Sequence, residues 1–138
     1  MHDAEYPVGL HGAHGVASAT LCCWDAAPEC ADRVLLRLEA ENHWIEVLAD
    51  NYTDALNQVR AQLEALGMLI DCNGASENAH ASGMSAGMGL GDRAYPLTLG
   101  RAATTADLVC IFDAGCTAPS TLAAQEAFYE RWLESLGR

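Results

Sequence analysis

The side chains best suited to chemistry lie between positions 72 and 95. Cys72 closes an apolar run and is followed by His80 and Asp92, the order of thiol, base and orienting carboxylate that nucleophilic catalysis employs. Such a nucleophile needs a depressed pKa and access to solvent, whereas a cysteine ending an apolar strand is usually an inert core residue. A core role is the expectation, with a small cysteine-dependent enzyme as the alternative. Within the stretch 82–95, Gly87, Gly89 and Gly91 form G-x-G-x-G. That spacing differs from a dinucleotide fingerprint, and the Gly-Lys-Ser/Thr ending of a phosphate loop is absent. Successive backbone N–H groups there can still make an anion-binding nest beside Arg93, with Met84 and Met88 as an adaptable apolar surface. Met84, Met88, Gly89, Gly91, Arg93 and Tyr95 are therefore the expected ligand- or partner-binding residues. The competing reading has the methionines filling the core and the glycines serving a close crossing of chain.

Metal chemistry has less to build on. His11 and His14 form an H-x-x-H pair, but Gly12 and Gly15 oppose the helix that would bring them together, and no third ligand is near in sequence. There is no C-x-x-C, so zinc ribbons and fingers are excluded as patterns, and neither a metal nor another cofactor is expected. The carboxylate pairs Glu39/Glu41 and Glu126/Glu130 read as solvated surface charge.

Ser82-Gly83-Met84, Met88-Gly89, Gly91, Ala94-Tyr95-x-Leu97 and Gly100, followed by Asp107-Leu108-Val109 and Ile111-Phe112-Asp113, resemble a small bacterial family of hypothetical proteins. The resemblance covers roughly residues 70 to 113 and implies a shared fold, with no activity attached. The family carries charged residues where this chain has Ala86 and Gly87.

At 138 residues, 51% of them apolar and 19% charged, the chain has the composition of one globular domain, and no apolar run is long enough to span a bilayer. The N-terminus is acidic where a signal or transit peptide is basic, which points to the cytoplasm. Six cysteines in that compartment are expected as free thiols. The net charge is −12 and every basic residue is arginine. Such a balance opposes nucleic acid and anionic membranes and favours a basic protein partner.

The elements that must position these residues follow from periodicity. Residues 1–15, rich in glycine and histidine, read as a mobile arm ahead of a single α+β domain over 16–138. Val16–Trp24 reads as a strand, and Arg33–Ala40 with Trp44–Ala49 as an antiparallel hairpin, because apolar residues recur every second position. Asn51 with Asp54 predicts a helix start; Leu56, Val59, Leu63 and Leu66 share a face, and Gly67 stops the helix. Met68–Cys72 is a short strand. Residues 73–93 read as a loop, and Tyr95, Leu97 and Leu99 as a strand that Pro96 confines to an edge or to bonding on one side. Residues 105–112 fit a short helix or a strand. Ser120 caps a final helix to about Leu136, with Leu122, Tyr129, Leu133 and Leu136 on one side and Phe128 and Trp132 flanking. That helix docks on its own domain or, alternatively, forms a homodimer.

The fold expected is α+β: an antiparallel sheet of four to five strands, one long helix on a face, and C-terminal helices. The function expected is a non-enzymatic binding or interaction module of the immunity-protein or adaptor type meeting a basic protein. The alternatives are the Cys72/His80/Asp92 enzyme and small-ligand binding by the loop 82–95.

Overall fold

The structure, a computed structural model, describes residues 2–82, 90–114 and 118–137. The chain runs β1 (Ala4–Gly12), β2 (Gly15–Trp24), β3 (Val34–Ala40), β4 (Trp44–Ala49), α1 (Tyr52–Ala65), β5 (Leu69–Asp71), β6 (Ala79–Ala81), β7 (Arg93–Pro96), β8 (Val109–Cys110) and α2 (Leu122–Ser135). It is an α+β fold. A five-stranded antiparallel sheet has the order β4-β3-β2-β1-β5, and a second sheet has the order β6-β7-β8.

The inner face of the large sheet follows the period-two reading: Leu21 and Cys23 on β2, Val34, Leu36 and Leu38 on β3, Ile45 and Val47 on β4. Against it lies α1, burying Ala55, Leu56, Val59 and Leu63. Asn51 caps this helix by accepting a 2.9 Å bond from the Asp54 N–H. At the other end Gly67 takes φ +78°, and the N–H groups of Gly67 and Met68 donate to the carbonyls of Glu64 and Leu63. Those two bonds are the helix stop that a left-handed glycine provides. Leu66, placed on the apolar face by spacing, instead lies past the helix end and is exposed.

The N-terminal segment corrects the expectation of a mobile arm. Residues 4–12 form β1, paired along its whole length with β2 from Ala4↔Cys23 to Gly12↔Gly15. Tyr6, Val8 and Leu10 alternate inward, and Leu10 is among the most buried side chains. Pro7 is tolerated because β5 pairs with β1 only over Gly9–His11, leaving that side open at the proline.

Residues 73–93, read as a loop, contain a 3-10 turn over Asn73–Ala75 and the strand β6. Gly74 is required there: a Cβ would come within 2.7 Å of Leu56 Cδ2 and 2.8 Å of Ile111 Cβ. β7 ends at Pro96, so Leu97 is buried beyond the strand and Leu99 is exposed in a turn. Pro96 pairs with Ala79 of β6, while β8 reaches only Arg93 and Ala94, so the proline is indeed bonded on one side. Residues 105–112 hold both alternatives, a 3-10 turn at Thr105–Asp107 and then β8.

α2 is capped by Thr121, one residue after the expected Ser120, whose hydroxyl donates to the Ala75 carbonyl. Its inward face is also displaced from the expected one: Trp132 is buried, Leu122, Phe128 and Tyr129 are partly so, and Leu133 and Leu136 face solvent. No helix among the described residues is long and apolar enough to cross a membrane.

Candidate functional site

A cleft of about 520 Å³ opens where the first turns of α1, the small sheet and α2 meet. Its walls are largely apolar, from Leu56, Ala79, Ala94, Ile111 and Leu122. Its polar groups come from Thr53 and Asn57 on α1, His80 on β6, and Gln125, Glu126 and Tyr129 on α2. Sheet, α1 and α2 thus each contribute one wall. A concave, mainly apolar site with a few converging polar groups is the usual form of a binding pocket.

Two groups are fixed in place. The His80 ring stacks flat on Tyr129, with centroids 3.8 Å apart and planes 2° from parallel. Tyr129 in turn stacks with Trp132 at 5.9 Å, and the Trp132 indole donates to the Arg101 carbonyl at 2.8 Å. Burial lowers the His80 pKa, so the imidazole is neutral at pH 7 and brings no positive charge to the cleft. Gln125 is occupied structurally: its amide donates to the Gly74 and Ser76 carbonyls, and its oxygen accepts from Arg60 at 2.7 Å. Glu126 is exposed at the rim.

Of the expected catalytic group, only His80 lines this cleft. Cys72 has no exposure and packs within the core cluster. Asp92 lies outside the lining; its Oδ1 is buried without a hydrogen bond, 3.8 Å from the Arg93 Nε. The three residues therefore do not converge on the cleft. Burial also raises the pKa of Cys23, and the Asp32 carboxylate raises that of Cys30 by accepting its S–H at 3.1 Å. Cys22, Cys23, Cys30, Cys72 and Cys110 all stand as thiols.

Of the expected binding residues, Met84, Met88 and Gly89 lie outside the described residues. Gly91 is buried at φ +78°, and a Cβ there would meet the Asn51 Cβ at 3.0 Å. It follows Leu90, itself at φ +57°. Leu90 accepts from the Tyr52 N–H at 2.7 Å and Gly91 from the Thr53 hydroxyl at 2.6 Å, which ties this part of the chain to the start of α1. Arg93 is exposed, and Tyr95 stands opposite His80 in the β6–β7 register.

The H-x-x-H pair is separated. His11 bonds Asp71 on the neighbouring strand at 3.0 Å, and His14 is exposed in the β1–β2 turn. Among the described residues, the group with three potential metal-ligating atoms close together is His2, Glu5 and Cys22.

Asn57 and Gln125 carry no signal in the sequence. Glu126, expected as solvated surface charge, and Tyr129, expected on the inward side of α2, join them in the cleft only because α2 folds back over α1 and β6. The one available signal was the aromatic face of α2. Comparison with protein-family models and with curated proteins returns no match.

Proposed function

We propose that this chain is a cytoplasmic, non-enzymatic interaction module of the immunity-protein or adaptor type, whose cleft receives a cationic side chain of a basic protein partner. The observation that carries this reading is the neutral His80–Tyr129 stack with Glu126 at the rim, in a chain of net charge −12. Aromatic faces attract guanidinium and ammonium groups, a nearby carboxylate pairs with them, and the surrounding acidic field speeds encounter. A catalytic Cys72 lacks support beside this, since its sulfur has no route to a substrate from a position of zero exposure.

Calorimetric titration with a short arginine-rich peptide tests the proposal. Saturable binding is expected, weakened about fivefold to thirtyfold by Tyr129→Ala and less by Glu126→Gln. Equal binding of a neutral peptide of the same length, or binding unchanged in molar salt, sinks it. A small organic ligand in the same cleft is the second reading, favoured by a volume of about 520 Å³ within the range of roughly 300–1,000 Å³ usual for such sites. Native mass spectrometry of freshly purified protein reads that alternative directly through a bound mass.

A further inference from the structure

The outer face of the large sheet carries a second constellation, away from the cleft. Cys22 lies on β2, between β1 and β3, and Glu5 of β1 is its partner in register. His2, three residues before Glu5, brings its Nε2 to 2.6 Å from a Glu5 carboxylate oxygen. The ligand atoms of His2, Glu5 and Cys22 all lie within 4.8 Å of one another. We propose that His2, Glu5 and Cys22 bind a divalent cation of the zinc class, with a fourth position left to water.

The donor set selects the metal. Thiolate, imidazole and carboxylate together suit Zn²⁺, which takes them at about 2.3, 2.0 and 2.1 Å in a tetrahedron. Those bond lengths imply ligand–ligand edges of about 3.3–3.6 Å. The His2–Glu5 separation of 2.6 Å must therefore open, and wider pairs must close, by about an ångström each. Magnesium and calcium prefer oxygen ligands throughout and are disfavoured by the sulfur.

Neighbouring side chains flank two of the three ligands. The His2 ring meets Trp24 edge-on at 5.5 Å. Cys22 is 1% exposed, and its S–H points to Glu39 Oε2 at 3.7 Å. That carboxylate accepts a 2.7 Å bond from Arg37, whose guanidinium lies between the Trp24 and Trp44 rings at 4.7 and 4.6 Å. The Trp24 indole N–H is buried without a hydrogen-bond partner in this same cluster. The Cys22 thiol, its S–H directed toward Glu39, gives up that proton when a cation takes the sulfur. Binding thus forms a metal–sulfur bond and releases the thiol proton to solvent.

Cobalt titration of the untagged, metal-stripped chain is the test. One equivalent of Co²⁺ is expected to produce a thiolate-to-cobalt charge-transfer band, which Zn²⁺ then abolishes by displacement. Cys22→Ser should remove the band. His2→Ala and Glu5→Gln should each weaken binding more than tenfold, since losing even an outer partner of a ligand lowers affinity about 10–100-fold. His14→Ala should bind as the parent does. Absence of the band in the parent chain overturns the proposal, as does a band that survives in Cys22→Ser or affinity unchanged in both His2→Ala and Glu5→Gln. His2 and Glu5 are at the surface, so those two variants read the site even if the buried Cys22→Ser fails to fold.

Discussion

His80 packs its ring flat on Tyr129 and, in the proposed function, the same ring serves recognition. It is half-buried against Tyr129, and burial holds its pKa below the ordinary imidazole value of about 6.5. Below about pH 6.5 the unfolded chain therefore takes up the proton more readily than the folded one. This contribution to stability is whole above that value and is lost as the pH falls toward the folded-state pKa. His80→Phe retains a ring over Tyr129 and removes the titration. Urea unfolding of both proteins from pH 7.5 to 5.0 should show the parent losing more stability than the variant. A constant difference across that range contradicts the assignment. The same protonation would place a positive charge in the cleft, so binding of a cationic peptide should weaken over the same window.

At the scale of elements, α2 is held on the domain by polar contacts as much as by apolar ones. Arg60 is 2% exposed within α1 and donates to the Ser120 carbonyl at 2.9 Å and to Gln125 at 2.7 Å. From the same helix, Glu64 accepts from the first N–H of α2 at 2.8 Å. Arg60→Met keeps most of the side-chain volume and leaves those acceptors without their donor. It should destabilise the protein by about 2–4 kcal/mol in urea unfolding. A loss under about 1 kcal/mol shows that the clamp is replaced by water. Arg60 also marks the limit of reading α1 from its sequence. Leu56, Val59 and Leu63 were legible by their spacing, but an arginine beside Val59 carries no mark of burial until α2 supplies carbonyls for it. The hairpin of β3 and β4 was equally legible, because both strands face a core on one side only. β1 was hidden by Pro7, Gly9 and Gly12, which diluted the alternation of Tyr6, Val8 and Leu10. On α2, leucine count suggested the wrong stripe: Trp132 faces inward by bonding Arg101, and Leu133 and Leu136 are left outside. The cleft was illegible for a related reason, since its lining is gathered from separate stretches of chain between Thr53 and Tyr129. No local pattern spans such distances.

Over the whole molecule, the charge of −12 is poorly compensated by pairing. Arg37 makes a close contact with Glu39 at 2.7 Å, whereas Arg33–Asp50 and Arg131–Glu77 stand at 3.8–3.9 Å between largely solvated groups. Exposed pairs of that kind contribute little, so the excess carboxylates repel one another across the folded surface more closely than in the extended chain. Raising NaCl from about 0.01 to 0.1 M shortens the screening length from about 30 to about 10 Å. The thermal midpoint should therefore rise, by about 2–5 °C for a stability gain near 1 kcal/mol in a domain of this size. Neutralising the exposed Glu29, Glu41 and Glu134 to glutamine should raise the low-salt midpoint and flatten that dependence. A midpoint that falls with salt would mean that attractive pairs outweigh the repulsion. The acidic field would then be balanced locally and could not steer a basic partner toward the cleft, so this measurement bears on the proposed function as well as on stability.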